Sequence, residues 1–304
     1  MGSESRDDRR AAEPQTALAY LRRATSFLER HGAATPRLDA EVLLAHVLAT
    51  DRIGVYLRFD QPLGETEVHA YRTFVQRRAA GEPVAYVTGR REFWSREITV
   101  TRDVLVPRPE TELLVERALA AVPTRDRPVR ILDLGTGSGA LAVTLASELP
   151  AASVVALDIS PAAAAIARRN ALSARVSDRV LVVVGDWTAP LAPAARFDLI
   201  VSNPPYVPTA ALDTLAPEVR REPAVALDGG ADGLTAYRRL VPAVAALLAP
   251  AASLLVEVGA GQAAAVAAIF AEWGLAGIVC YADLAGIDRV VAGSAERVVA
   301  EIAV

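Results

Sequence analysis

The apolar positions of this chain change their spacing twice. From Thr16 to about Ala80 they recur at helical intervals: Leu18, Leu21 and Leu28, then Leu44, Val47 and Leu48, then Tyr71, Phe74 and Val75. Pro36, Pro62 and Gly64 interrupt the run, so it predicts several short helices rather than one long one. Between 84 and 106 the period shortens towards two, through Val84, Tyr86, Phe93, Trp94, Ile98 and Val100, with Gly89 marking a turn. A β-hairpin is the expected outcome. After Pro107-Arg108-Pro109, an amphipathic helix carries Leu113, Leu114, Ala118 and Leu119. Strands and helices then alternate: strands over 129–134, 153–158, 180–185, 198–202 and 253–258, helices near 138–148, 161–171, 233–248 and 261–273. Two closing strands near 276–282 and 288–292 have no helix between them, which predicts an antiparallel pair at a sheet edge.

This alternation predicts an α/β fold, a doubly wound and mostly parallel seven-strand Rossmann-like sheet. The expected parts are a disordered extension over 1–14, a helical domain over 15–82, a hairpin linker over 83–106 and the sheet domain over 107–304. No internal repeat is visible, and the conformation of the long segment 207–232 is not readable.

Composition narrows the function classes. Of 304 residues 52% are hydrophobic and 22% charged, which describes a globular protein with ample core. All 32 basic residues are arginine, and the net charge is −4, which argues against general electrostatic binding of nucleic acid. Cys280 is the single cysteine, so neither an intrachain disulfide nor a cysteine-rich zinc site is expected, and no metal site is predicted. Cys280 sits in an apolar strand and reads as a core residue. The polar start, Met1 to Arg10, is no secretory signal, and no apolar run is long enough to span a bilayer. A cytoplasmic protein without membrane or stable nucleic-acid partners is expected. His31, His46 and His69 all lie in the helical segment, so the sheet domain has no histidine for a Ser-His-Asp or His-metal mechanism.

Candidate chemistry gathers at the carboxyl ends of the predicted strands. Asp133-Leu134-Gly135-Thr136-Gly137-Ser138-Gly139 is a strand-to-helix turn whose glycines let the backbone approach a ligand closely. It departs from the dinucleotide pattern G-x-G-x-x-G, because its third glycine comes one position early. Asp158 ends the next strand, where a carboxylate can hold a ribose diol; Ser160 is the better cap for the helix that follows. Gly185-Asp186-Trp187 ends the third strand, so Asp186 can accept from an adenine amino group and Trp187 can pack on its ring. Asn203-Pro204-Pro205-Tyr206 follows the fourth strand. Its prolines fix the backbone and remove two N–H donors, which leaves carbonyls open to accept. With an asparagine oxygen and a flat tyrosine wall, this is a receptor for a planar NH₂ group. With a bound methyl donor, it becomes an N-methyltransferase site.

These residues resemble the peptide chain release factor N5-glutamine methyltransferases, the PrmC/HemK family of seven-strand S-adenosylmethionine-dependent methyltransferases. The resemblance runs from about Ala17 and includes Pro36 to Glu41, Thr88 to Phe93, Pro107 to Glu112, Asp133 to Gly139, Asn203 to Tyr206, and Arg220 to Gly230. It implies that Gly135, Thr136, Gly137, Ser138 and Gly139 line the methionine end of S-adenosyl-L-methionine, with Asp158 on the ribose and Asp186 and Trp187 beside the adenine. Asn203, Pro204, Pro205 and Tyr206 would hold a glutamine amide, Asn203 also reaching the cofactor. The implied partner is a class 1 peptide chain release factor, docked by the helical domain with Arg72, Arg77 and Arg78 as exposed candidates. Three other readings stay open: glutamine methylation of a ribosomal protein, adenine-N6 methylation of a flipped base, and a non-catalytic cofactor-binding module.

Overall fold

The computed structural model describes residues 15–296, and the chain divides into two units after Thr88. The expected disordered extension over 1–14 lies outside the described residues. The first unit is helical: α1 (Ala17–Arg30), α2 (Pro36–Val47), α3 (Arg52–Tyr56), α4 (Glu65–Ala79) and α5 (Val84–Thr88). Thr16 caps α1 by accepting the Ala19 N–H, and Pro36 opens α2 at a position where no amide donor is needed. Leu21, Leu28, Leu43, Leu44 and Tyr71 are fully buried between these helices. Two ionic features complete that interior. Arg78 and Asp39 pair at 2.7 Å with both side chains more than nine-tenths buried. Glu41, also buried, takes Arg52 at 2.7 Å and the Tyr56 hydroxyl at 2.7 Å.

Two sequence expectations are corrected here. Residues 84–88 form α5 rather than the first arm of a hairpin. Pro83 starts the turn by accepting the amides of Tyr86 and Val87 through its carbonyl, and Gly89, at φ +74°, ends it. Arg78 is no exposed docking residue, because Asp39 holds it in the interior; Arg77 is engaged by Glu82 at 2.6 Å.

The second unit opens with the antiparallel hairpin β1 (Arg90–Phe93) and β2 (Arg96–Thr99). Its turn residues Trp94 and Ser95 both take positive φ, +52° and +54°, the geometry that matches strand twist in a two-residue loop. After α6 (Thr111–Ala120) the chain alternates: β3 (Val129–Leu134), α7 (Ala140–Glu148), β4 (Ala152–Asp158), α8 (Pro161–Ser173), β5 (Val180–Val184) and β6 (Phe197–Ser202). It finishes with α9 (Thr235–Ala245), β7 (Leu248–Glu257), α10 (Ala263–Glu272), β8 (Ala276–Ala282) and β9 (Asp288–Ser294).

The seven strands are ordered β5-β4-β3-β6-β7-β9-β8. Only β9 runs against the rest: it inserts between β7 and β8 and pairs with both antiparallel. β7 starts earlier than its apolar pattern indicates, and its register against β6 shifts where Pro250 and Ala251 (φ +63°) interrupt the ladder. Cys280, read from sequence as a core residue, is exposed instead, because β8 is the sheet edge. Segment 207–232 is built of three short 3₁₀ turns and returns to pair Val207 with Asp228.

Candidate active site

Parallel strands in an open sheet deliver their carboxyl ends to one crevice. At the end of β3, Gly135 and Gly137 take φ of +72° and +55°, and a side-chain carbon added to either would meet no atom within 4 Å. The open space belongs to a cavity of about 460 Å³, within the range of small-molecule and cofactor sites. Thr136 and Ser138 also line it. Gly139 faces the other way. A carbon added there would lie 3.0 Å from the Ala167 Cβ, so this glycine lets α7 approach α8 and is not part of the cavity wall.

Three buried side chains hold the turn in place. Asp133 accepts the Thr136 hydroxyl at 2.6 Å and the Ala142 amide at 3.1 Å, and burial pushes its carboxyl up to about 7. Asp158, at the end of β4, accepts the Gly137 amide through Oδ2 and the Ser160 amide through Oδ1, each at 2.8 Å. Burial raises its pKa while those donors oppose the rise. Asp158 lines the cavity, and each of its oxygens retains acceptor capacity for a ligand hydroxyl. Asn170 on α8 is the third. Its amide donates to the Thr99 carbonyl at 2.9 Å and the Ser138 carbonyl at 2.8 Å and accepts the Thr99 amide at 2.9 Å, which ties the hairpin to the glycine turn.

Asp186 and Trp187 reach the cavity rim after β5. Asp186 is not a lone acceptor there: Arg239 pairs with its Oδ2 at 2.9 Å and sits 5.6 Å from the centre of the Trp187 ring. The rim is thus a stacked Trp–Arg–Asp group.

On the opposite wall Asn203 and Pro205 line the cavity. The Asn203 Nδ2 donates to the Thr111 hydroxyl at 3.2 Å, which turns the side-chain oxygen away from Thr111. Pro204 is buried behind the wall. Tyr206 is also absent from it. The Tyr206 hydroxyl faces the Glu257 carboxylate at 3.4 Å, and its carbonyl accepts the Gln262 amide at 2.9 Å. Gly229 and Gly233 pack on the Tyr206 backbone so closely that an added carbon would meet it at 2.8 Å and 2.4 Å. Segment 207–232 closes the remaining side through Pro223 to Ala226. It is pinned by Glu222, which is buried and accepts both Arg108 at 2.6 Å and the Val106 amide at 3.0 Å.

A release factor glutamine methyltransferase of Geobacter sulfurreducens is 47% identical over 88% of this chain and 92% of its own length. The chain belongs to the release factor glutamine methyltransferases. Another member, from Cereibacter sphaeroides, is 44% identical over 89% of this chain and 95% of its own. The family's two modules are matched separately: a PrmC N-terminal domain over residues 19–89 and a methyltransferase small domain over 109–230. In fold, the sheet is similar to a methyltransferase from Pyrococcus furiosus, with a TM-score of 0.50 at 16% identity, covering 67% of this chain and 91% of that one. No helix among the described residues is long and apolar enough to cross a membrane. No cluster of three or more potential metal ligands occurs among them either.

Of the site residues predicted from sequence, the structure brings Gly135, Thr136, Gly137, Ser138, Asp158, Asp186, Trp187, Asn203 and Pro205 to one cavity. It places Gly139, Pro204 and Tyr206 behind the cavity wall. Sequence reasoning did not single out Thr111, Asn170, Glu222 or Glu257, whose partners lie 20 to 116 positions away. The signal available for Glu257 was a single acidic residue closing an otherwise apolar run, Leu254-Leu255-Val256-Glu257-Val258.

Proposed function

We propose that the protein transfers the methyl group of S-adenosyl-L-methionine to the side-chain amide nitrogen, N5, of the glutamine in the Gly-Gly-Gln motif of a class 1 peptide chain release factor. The observation that carries this reading is the shared cavity, in which Asn203 and Pro205 of the amide receptor join an open glycine cradle and a ribose-type carboxylate. The residues fit that cofactor. Gly135 and Gly137 leave room where any side chain would intrude, and Asp158 retains acceptor capacity for a diol. Trp187 offers a ring face at the adenine end, where the Asp186–Arg239 pair supplies both an acceptor and a donor. When bound, the cofactor supplies an electrophilic methyl on a sulfonium.

The chain's own task is to present a poor nucleophile. An amide nitrogen is deactivated because its lone pair is delocalised into the carbonyl. The Asn203 Oδ1 and the Pro204 carbonyl each accept one N–H of the substrate amide, which fixes its plane and raises electron density on nitrogen. Among the described residues no hydrogen bond occupies the Pro204 carbonyl, and the prolines add no competing donor. Cytoplasmic location follows from a translation substrate. The relatives just described are named for this reaction, and neither the ribosomal-protein nor the adenine reading gains a supporting observation.

The test is methyl transfer from labelled S-adenosylmethionine to an unmethylated class 1 release factor, with the modified residue located by mass spectrometry. One added methyl on the Gly-Gly-Gln glutamine is expected. Asn203→Ala should lower kcat by roughly 10²-fold, as for other single lost transition-state hydrogen bonds. Turnover of that variant near the normal rate would refute the role given to Asn203.

A further inference from the structure

Two proline-bearing stretches form part of the cavity wall, and one carboxyl group that the mechanism above does not use stands behind both. Pro107 lies between Val106 and Arg108, and Pro223 directly follows Glu222. Both prolines line the cavity, whereas Glu222 and Arg108 do not. The Glu222 side chain is 1% exposed. Its Oε2 accepts the Val106 amide at 3.0 Å and its Oε1 accepts the Arg108 guanidinium at 2.6 Å. One carboxylate thus holds the residues on either side of Pro107 while its own residue is joined by a peptide bond to Pro223. Neither proline lies in a helix or strand, so no backbone ladder fixes either wall. A proline has its φ already set, so anchoring its neighbours leaves the ring little freedom to move.

The same contacts lead on to Asn203. The Arg108 carbonyl accepts the Thr111 amide at 3.1 Å, and the Pro109 carbonyl accepts the Glu112 amide at 3.0 Å, so α6 begins on the stretch that Glu222 holds. Thr111, the first residue of α6, accepts the Asn203 Nδ2 on its hydroxyl at 3.2 Å. An amide whose NH₂ is committed on one side turns its oxygen to the other, and that oxygen is the acceptor the receptor needs. We infer that Glu222 is a positioning residue for methyl transfer: it clamps Pro107 and Pro223 as cavity walls and, through Arg108 and the first turn of α6, holds the Thr111 hydroxyl that orients Asn203.

Segment 207–232 takes part directly. Its root lies just beyond Tyr206, where the Val207 amide donates to the Leu227 carbonyl at 2.9 Å and the Val207 carbonyl accepts the Gly229 amide at 2.8 Å. Glu222 ties the outer limb of the same segment to the start of α6. The seating of this segment and the orientation of Asn203 are therefore coupled through one carboxylate. Its chemistry is not replaceable by a neutral isostere. A glutamine has one side-chain oxygen for two donors, so whichever it satisfies, its NH₂ faces the other.

The inference rests on the proposed amide-methylating reading, so its test includes readouts that need no release factor. In ¹⁵N spectra of the full chain without ligand, the Asn203 side-chain NH₂ signals are identified by their loss in Asn203→Asp. Glu222→Gln and Arg108→Met should both move them in the direction in which Thr111→Val moves them. On the Thr111→Val background, Glu222→Gln should move them no further. Release of S-adenosylhomocysteine, followed by stopped-flow tryptophan fluorescence, should quicken about tenfold in Glu222→Gln and Arg108→Met, the factor carried by one charge-assisted hydrogen bond. Thr111→Val should leave that rate close to normal. With release factor as substrate and saturating cofactor, kcat should fall on the order of 10-fold in all three variants, as expected when an attack geometry loosens. The Glu222→Gln/Thr111→Val pair should be no slower than the worse single variant, because both interrupt one path to Asn203. Should Glu222→Gln fail to fold, Arg108→Met, which alters a side chain 30% exposed, carries the same comparisons. A merely structural glutamate would lower the urea midpoint yet leave the Asn203 signals and kcat of the folded variants unchanged, and that result would overturn the inference. No transfer to the release factor, with the signals and the release rate moving as expected, would overturn the substrate and leave the clamp standing.

Discussion

Gly137 and Gly139 lie two residues apart, both at positive φ, and the structure assigns them different reasons for being glycine. Alanine at either position carries the cost of a left-handed backbone, roughly 1–2 kcal/mol. At Gly137 nothing more is added, because the new methyl would meet no atom within 4 Å. At Gly139 the methyl would sit 3.0 Å from the Ala167 Cβ and 3.1 Å from its Cα, inside normal contact distance. Overpacking of that kind costs about 1–3 kcal/mol, so Gly139→Ala should lose about 2–5 kcal/mol in total. The reverse order is expected for ligand affinity. Gly137→Ala fills the cradle and should weaken S-adenosylhomocysteine binding at least about tenfold, equivalent to about 1.4 kcal/mol. Gly139→Ala should leave that affinity much closer to normal. Trp94, Trp187 and Trp273 are the chain's three tryptophans and all lie beyond Thr88, so urea unfolding followed by tryptophan fluorescence reads the sheet unit. Calorimetric titration with S-adenosylhomocysteine supplies the other axis. Equal stability losses for the two variants would refute the packing argument. Unchanged affinity in Gly137→Ala would refute the cradle.

Three further outcomes follow from buried groups, each acting within one unit. Asn170→Ala leaves the Thr99 amide, the Thr99 carbonyl and the Ser138 carbonyl without their partner; at about 1–3 kcal/mol for each buried group, urea unfolding should show a loss of about 3 kcal/mol or more. Arg78→Ala strands the buried Asp39 carboxylate and should destabilise the helical unit by about 3–5 kcal/mol, read from the far-ultraviolet circular dichroism melt of the full chain. For Asp133 the sign runs towards acid. Its folded pKa, about 7, lies above the ordinary 3.8, so the folded state holds the proton more tightly, and its contribution to stability falls as pH rises from about 4 through 7. The stability gap between the natural chain and Asp133→Asn should therefore change between pH 5.5 and 8, with the natural chain relatively better at the lower value. A gap constant with pH would show that Asp133 is not buried as a protonated acid.

What the sequence made legible was the part written in local periodicity and short motifs. Alternating strands and helices, the glycine turn and the Asn203-Pro204-Pro205-Tyr206 segment depend on residues close together in the chain. Val84 and Tyr86 mimicked a strand because five residues are too few to separate a period of two from one turn of helix. Arg78 read as exposed because arginine usually is, and its partner Asp39 lies on another helix. Glu222 and Glu257 were not set apart from the sequence alone, because burial, which gives each its character, is created by elements brought together only in the folded sheet. The orientation of Tyr206 away from the cavity was likewise invisible, since it depends on Gly229, Gly233 and Gln262 closing around its backbone.

The antiparallel strand β9 has a consequence for how the protein is made. It lies between β7 and β8 in space, yet it leaves the ribosome after both. Until it arrives, the growing sheet presents the open edge of β7, including Leu255 and Glu257, whose neighbours are Ala292 and Val290. Unpaired apolar edges of this kind invite pairing with other chains. The nascent protein therefore passes through a window in which the four strands on one side of β7 are already built while its last ladder is missing. A stop codon or proteolytic cut between β8 and β9 would freeze the molecule in that window. Such a fragment would retain the cofactor-facing strands and every predicted contact residue, and would be expected to aggregate rather than to act.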